Sequence, residues 1–150
     1  MARFRFSLEK VHRLRKSELE QVKIEFQAAA DAVQRIEDEI TEFLGELEET
    51  RSALRKEQEK PRIHVRKLLM LEAGVSHLGR AIQKAKERRS QAVLRVESVR
   101  IRLQEAEQKS ESLKRIKARN KGRFDTAAKA DEMKRLDEIA VTRFVRSRLK

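Results

Sequence analysis

Apolar residues recur at alternating spacings of four and three between Leu19 and Leu54, and the residues between them are mostly charged or polar. This stripe contains one polar member, Thr50, and consists of Leu19, Val22, Phe26, Ala29, Val33, Ile36, Ile40, Phe43, Leu47, Thr50 and Leu54. A narrow stripe sustained over about five heptads is typical of a coiled-coil helix rather than of a helix that covers a broad core. The pattern therefore predicts a long first helix that packs against a partner helix.

The first helix is predicted to run from about residue 8 to about residue 60. Ser7 is a suitable N-cap, and Pro61 disfavours helical geometry at Lys60. Residues 61–77 are rich in apolar side chains without a clean heptad, so they are predicted to form the reversal of the chain. This reversal is expected to be an apolar plug that closes the hairpin, a partner-binding tip, or both.

The spacing of four and three resumes at Leu78 and predicts a second helix from about residue 78 to about residue 148. Its seam is smaller and more interrupted than the first. The seam positions are Leu78, Ile82, Ala85, Arg89, Ala92, Val96, Val99, Leu103, Ala106, Ser110 and Leu113. Beyond Leu113 the seam degrades into a basic run, and a solvated helical face is the simplest interpretation of that run.

Two long helices joined by a short reversal pack antiparallel, because a parallel pairing would need a connection as long as the helix. A fold-back centred near Leu68 places an acidic block of the first helix against basic residues of the second and puts Leu8 opposite about Ala128. The predicted partners are Glu37, Asp38, Glu39, Glu42, Glu46, Glu48 and Glu49 on one side and Arg88, Arg89, Arg95, Arg100 and Arg102 on the other. The predicted fold is all-α, an antiparallel coiled-coil hairpin forming one domain over residues 1–150, with an overhanging C-terminal helix.

Composition supports a thin helical protein, since 41% of residues are charged and only 4% are aromatic. Cysteine is absent, which excludes disulfides and thiolate sites and is compatible with a reducing compartment. No apolar run approaches the ~20 residues of a membrane span. We therefore expect a cytoplasmic protein.

The sequence contains no glycine-rich phosphate loop, no Ser/His/Asp or Cys/His set and no histidine pair at ligand spacing. It therefore predicts no enzyme activity, no catalytic residue, no metal site and no cofactor. The net charge of +12 favours an anionic partner, which could be nucleic acid, a membrane surface or an acidic protein. Aromatic stacking platforms are missing, so nucleic acid is not expected.

Two terminal segments are candidate docking surfaces. Phe4 and Phe6 precede the first helix and fit either a local hydrophobic staple or a docking tip. Met133, Leu136, Ala140 and Phe144 lie three or four apart on the overhanging helix. That helix has no expected partner in its own chain, so the end of the molecule that carries both termini is the second candidate docking surface, after the reversal.

The opening residues Phe4 to Val11 (FRFSLEKV), the long heptad helix and the closing residues Met133 to Ala140 (MKRLDEIA) resemble the FliJ family of the bacterial flagellar export apparatus. The resemblance covers nearly the whole chain. It implies a coiled coil similar to the central stalk of rotary ATPases, held in the ring of the export ATPase FliI. It also implies a link from this ring to the membrane gate protein FlhA, binding of export chaperones, and peripheral association with the membrane at the flagellar base through the gate.

Positions carried over from the family give two sets of candidate contacts. The ATPase-ring contacts are Phe4, Phe6, Leu8, Leu136, Asp137, Glu138 and Arg143, and the export-gate contacts are Phe43, Leu78 and Ala81. Two other functions remain open at this stage. One is the analogous stalk of a virulence-type secretion system, and the other is a basic nucleic-acid-binding coiled coil.

Overall fold

The computed structural model describes residues 2–149, and this part of the chain contains two α-helices and no strand. Helix α1 comprises Glu9–Gln58 and helix α2 comprises Val65–Arg148. The two helices pack against each other as a helical hairpin, so the predicted all-α fold class is confirmed.

The seam predicted for α1 faces the partner helix. Val22 and Leu47 are buried, and every other seam position from Leu19 to Leu54 is half-buried. The hydroxyl of Thr50 donates to the carbonyl of Glu46 at 2.8 Å, which satisfies the one polar seam member. The residues between seam positions are largely exposed, as a narrow stripe requires.

The reversal is shorter than the sequence suggested. Helix α2 begins at Val65 instead of about residue 78, and the non-helical connection spans residues 59–64. The spacing of four and three continues upstream of Leu78, because Leu68, Leu71 and Val75 are half-buried while the intervening leucine and methionine at 69 and 70 are exposed. The prediction of an irregular reversal over 61–77 was wrong because those exposed apolar residues obscured the heptad.

The chain packs as two compact units. The reversal unit is Gln21–Gln104, and the terminal unit is Met1–Glu20 with Glu105–Lys150. The assignment of residues 1–150 to one domain stays a prediction.

Leu47, Leu78 and Ile82 form the core of the reversal unit, and Phe43 and Val75 pack against them. The position after Leu54 in the α1 seam is Glu57, which is only 1% exposed. Lys60 Nζ donates to Glu57 Oε2 at 2.9 Å.

Four ion pairs among the described residues join the helices of the reversal unit. Lys67 lies 3.5 Å from Glu57 beside the connection, and the other three pairs define the register. Arg88 contacts Glu39 at 2.9 Å, Arg89 contacts Glu37 at 2.7 Å, and Arg102 contacts Glu25 at 2.7 Å. These pairs are centred on residues 63–64, so the predicted centre near Leu68 was wrong. Opposite charges face each other as expected for Arg88 and Arg89. Arg102 instead pairs with Glu25, outside the predicted acidic block, and Arg100 pairs along its own helix with Glu97 at 2.9 Å.

Candidate functional site

The N-terminal arm, residues 2–6, is held against both helices of the terminal unit. Phe6 is buried, and its carbonyl accepts a hydrogen bond from the Glu9 backbone N–H at 3.1 Å, where α1 begins. The ring of Phe6 meets the His12 ring edge-on at a centroid distance of 6.5 Å. Lys117 Nζ lies 6.0 Å from the Phe6 centroid and 2.8 Å from Glu9 Oε2. These contacts order the arm and position Phe6 as a core residue rather than a free docking tip.

Phe4 joins the N-terminal arm to α2. Its ring packs on Phe124 with the ring centroids 5.6 Å apart, and both residues are half-buried. Since Glu9 faces Lys117 and Phe4 faces Phe124, Leu8 does not lie opposite Ala128 as the sequence-based register placed it. The unpaired part of α2 therefore begins immediately after Phe124.

The terminal unit carries most of the net charge of the chain. It contains 20 Lys and Arg against 11 Asp and Glu, a net +9 of the total +12. An open groove of about 480 Å³ lies beside the arm and is lined by four cations, two aromatic rings and one carboxylate: Arg3, Arg5, Arg13, Lys117, Phe4, Phe6 and Glu9. The hydrogen bond from Lys117 is the main reason that the pKa of Glu9 lies below its usual value. This carboxylate therefore stays ionised and neutralises only part of the positive field.

From residue 125 to residue 149 every residue is exposed. The apolar stripe Met133, Leu136, Ala140 and Phe144, hereafter the C-terminal stripe, thus has no partner in the described part of the chain. Leu136 is 56% exposed and Phe144 is 58% exposed. An α-helix turns about 100° per residue, so these four positions lie roughly 120° to 200° around α2 from Phe124. The stripe therefore occupies the side of α2 that is turned away from its paired seam, and a longer α1 would not cover it.

The structure separates the candidate ring contacts into two groups. Phe4, Phe6 and Leu8 lie together at the start of α1. The other group lies on the exposed part of α2 and consists of Leu136, Asp137, Glu138 and Arg143. Twelve residues of helix separate Phe124 from Leu136, which is about 18 Å. A ring partner must therefore span both groups to contact them together.

The candidate gate contacts lie in or beside the core of the reversal unit. Leu78 is 9% exposed and belongs to that core, against which Phe43 packs. Ala81 is half-buried on the next turn of α2. Phe43 and Ala81 therefore offer accessible surface, whereas Leu78 supports that surface from beneath.

The sequence model of the family described as Flagellar FliJ protein matches residues 4–149, nearly the whole chain. The chain belongs to the FliJ family. No curated protein and no solved structure matches it. The resemblance seen in the sequence is confirmed, and the protein is a component of flagellar export that associates with the export apparatus. Family membership favours this role over the virulence-type and nucleic-acid-binding alternatives.

Sequence reasoning missed three residues that organise this FliJ-family chain. Lys117 interrupts the apolar seam, yet it pairs with Glu9 and covers the Phe6 ring. Phe124 lies seven residues further along the same seam and receives Phe4. Glu57 lies three residues after Leu54, so extending the α1 spacing by one step identifies it as a seam position. Lys117 and Phe124 were likewise visible as seam positions of α2, but their partners depended on the register.

The described residues of this FliJ-family member contain neither a metal-binding cluster nor a membrane-spanning helix. Within residues 2–149, no three side chains of the types that bind metals lie close enough together to hold an ion. Neither helix in that range has an apolar stretch long enough to cross a bilayer. The FliJ family is an export component rather than an enzyme family.

Proposed function

We propose that the protein is a stalk-like element that inserts into the ring of the export ATPase FliI and promotes its assembly or activity. The observation that carries this proposal is the C-terminal stripe, which is exposed although its spacing is that of an interface. Burying such side chains in a partner contributes about 25 cal/mol per Å² of apolar area. The stripe therefore provides a driving force for docking that folding of the chain does not use.

Unequal faces support a stalk role. The terminal unit presents paired helices up to Phe124 and a single helix beyond it, with an apolar stripe on one side only. Identical subunits of a ring that surround such a surface meet different residues at each position. A stalk of this kind biases the states of ring subunits through contacts alone, without bond-making chemistry.

Charge supports the same assignment. The net +9 of the terminal unit favours an acidic ring lumen as its environment. Lys114, Arg119, Lys121 and Arg123 make no ion pair within the described residues, so they are available to such a surface.

The proposal assigns the reversal unit to the export gate protein FlhA, with Phe43 and Ala81 as contacts and Leu78 as their support. Leu44, the residue after Phe43, is exposed on the adjoining face of α1. The proposal also includes binding of export chaperones. The protein then acts in the cytoplasm and reaches the membrane at the flagellar base only peripherally, through the gate.

The ring proposal is tested by measuring ATP hydrolysis by the purified FliI ring with the full chain and with a chain that ends at Thr126. The shortened chain keeps the contact between Phe4 and Phe124, so we expect unchanged pairing of its helices by circular dichroism. We expect the full chain to stimulate hydrolysis and the shortened chain to lose most of that stimulation. Equal stimulation by both would contradict the proposal.

A further inference from the structure

The exposed end of α2 has an uneven charge distribution along its length. Residues 131–138 contain four carboxylates and two cations, whereas residues 139–149 contain three arginines and no carboxylate. The carboxylates are Asp131, Glu132, Asp137 and Glu138, and the arginines are Arg143, Arg146 and Arg148. One end of this helix is thus complementary to the other end of a second copy.

The charge distribution favours one relative direction for two such helices. A parallel pair would place the three arginines of one copy against the same arginines of the other, and like charges that face each other are destabilising. An antiparallel pair instead places Arg143 and Arg148 of each copy, which flank the stripe, level with Asp137 and Glu132 of its partner. Charge flanking an apolar seam is the usual determinant of orientation in coiled coils.

The C-terminal stripe also has the spacing for an antiparallel pair. If Ala140 lies on the two-fold axis, Leu136 of one copy is opposite Phe144 of the other, on both sides of a small central layer. In the same register Glu132 is opposite Arg148. Large residues then flank a small central one, which allows the helices to approach closely.

Space is available for a second copy. In this register Glu132 is opposite Arg148, the last residue of α2, so the second helix stops eight residues short of Phe124 and does not reach the N-terminal arm. The stripe lies on the side of α2 away from its paired seam, so α1 does not obstruct it.

We infer that two copies of this chain pair antiparallel through the C-terminal stripe, with Ala140 at the symmetry axis. The two helices overlap over about 24 Å. An interface of this length is small, so we expect the association to be transient. Pairing covers Leu136 and Phe144, so it competes with ring binding if the proposed function holds. The self-association itself does not require the ring.

Cysteine cross-linking of the full chain tests this inference, because the natural sequence has no cysteine. The variants are Ala140→Cys, Met133→Cys and, as a collision control away from the stripe, Ala127→Cys. In the inferred pair the two residues 140 are adjacent, whereas the two residues 133 are about 21 Å apart along the helices. Disulfides need Cα atoms within about 7 Å. In a glutathione redox buffer at about 100 µM protein, we expect Ala140→Cys to form dimers at least about tenfold faster than either other variant.

Two results would overturn the inference. Cross-linking of Ala140→Cys at the rate of Ala127→Cys would show that the stripe does not pair. Equally fast cross-linking of Met133→Cys and Ala140→Cys would show a parallel pair.

A charge exchange provides a second test on the Ala140→Cys background. Arg143→Glu with Arg148→Glu should slow cross-linking several-fold, as should Glu132→Lys with Asp137→Lys. An equimolar mixture of the two variants should cross-link preferentially between unlike chains. Cross-linking rates that do not respond to either exchange would contradict the antiparallel arrangement.

Discussion

The reversal unit and the exposed end of α2 carry the same kind of pattern and use it differently. In the reversal unit, apolar residues three or four apart are buried between two helices, with Leu78 in the core. Beyond Phe124, residues with the same spacing are exposed, and Leu136 is one of them. Spacing therefore identifies the face of a helix that forms an interface, but it does not identify the partner. The stability of the fold should depend on the first region, and binding should depend on the second.

The largest expected difference is between two leucines of α2. Leu78→Ala leaves a cavity in the core, so we expect the free energy of unfolding to fall by about 2–4 kcal/mol. Leu136→Ala removes an exposed side chain, and we expect a change below about 0.5 kcal/mol. Urea titrations followed by far-ultraviolet circular dichroism measure both values. Equal losses would show that the C-terminal stripe is buried in the free protein.

Two phenylalanines of α2 sharpen the same comparison. Phe124 packs on Phe4, so Phe124→Ala should reduce the free energy of unfolding by about 1–2 kcal/mol. The Phe144 ring is 58% exposed, with the guanidinium of Arg148 on the same helix 4.9 Å from its centroid, so Phe144→Ala should cost less than about 0.5 kcal/mol. Urea titrations measure both losses. A larger loss for Phe144→Ala than for Phe124→Ala would contradict the conclusion that α2 is unpaired beyond Phe124.

Ion pairs of the reversal unit should have a small but measurable effect. Arg88→Glu places two carboxylates together at Glu39, and we expect a loss of about 0.5–1 kcal/mol that Glu39→Arg in the same chain largely restores. The pair Glu97 and Arg100, within α2, provides the control. Exchange of its charges leaves the contact between the helices unchanged. Failure of the double variant to recover stability would show that the register does not depend on this pair.

The smallest expected effect is the contribution of Glu57 to the pH dependence of stability. Its pKa is lowered from 4.5, chiefly because Lys60 donates a hydrogen bond to it, while burial acts in the opposite direction. A carboxyl group whose pKa is lower in the folded state stabilises the fold above its unfolded pKa, and this stabilisation is lost as the pH falls through the folded pKa. We therefore expect stability to fall below about pH 4.5, and to fall less steeply in Glu57→Gln.

Thermal unfolding between about pH 3 and pH 7 measures this dependence. Glu59→Gln serves as the control, because it makes the same change in charge at an exposed carboxylate nearby. If Glu57→Gln follows the same pH profile as the natural chain, the lysine contacts of Glu57 do not stabilise the reversal.

Much of the fold was readable from the sequence, because a stripe spaced by four and three specifies which residues of α1 face a partner. The register was not readable to the same accuracy. Leu69 and Met70 are apolar but exposed, so they hid the continuation of the seam through Leu68 and displaced the predicted centre of the reversal by about five residues. The same error in the register gave wrong predicted partners in the terminal unit, including the residues opposite Leu8 and Phe4.

The candidate site was predicted in part. Met133, Leu136, Ala140 and Phe144 were recognised as an amphipathic face, and their exposure agrees with an unpartnered helix. Their position on the side away from the seam follows from the step of nine residues from Phe124 to Met133, which breaks the spacing of four and three. Phe6 was not assigned to the core because its covering group, Lys117, is charged and its partner Glu9 depended on the register.

The most direct measurement is the affinity of the FliI ring for two full-length double variants that are matched in exposed apolar residues. Leu136→Glu with Phe144→Glu alters the C-terminal stripe. Ile24→Glu with Leu94→Glu alters two side chains that are 66% and 70% exposed in the reversal unit. We expect the first variant to bind at least about tenfold more weakly than the natural chain, the second to bind normally, and both to unfold at nearly the natural temperature. Normal ring binding by the first variant would contradict the conclusion that the unpaired end of α2 serves a partner.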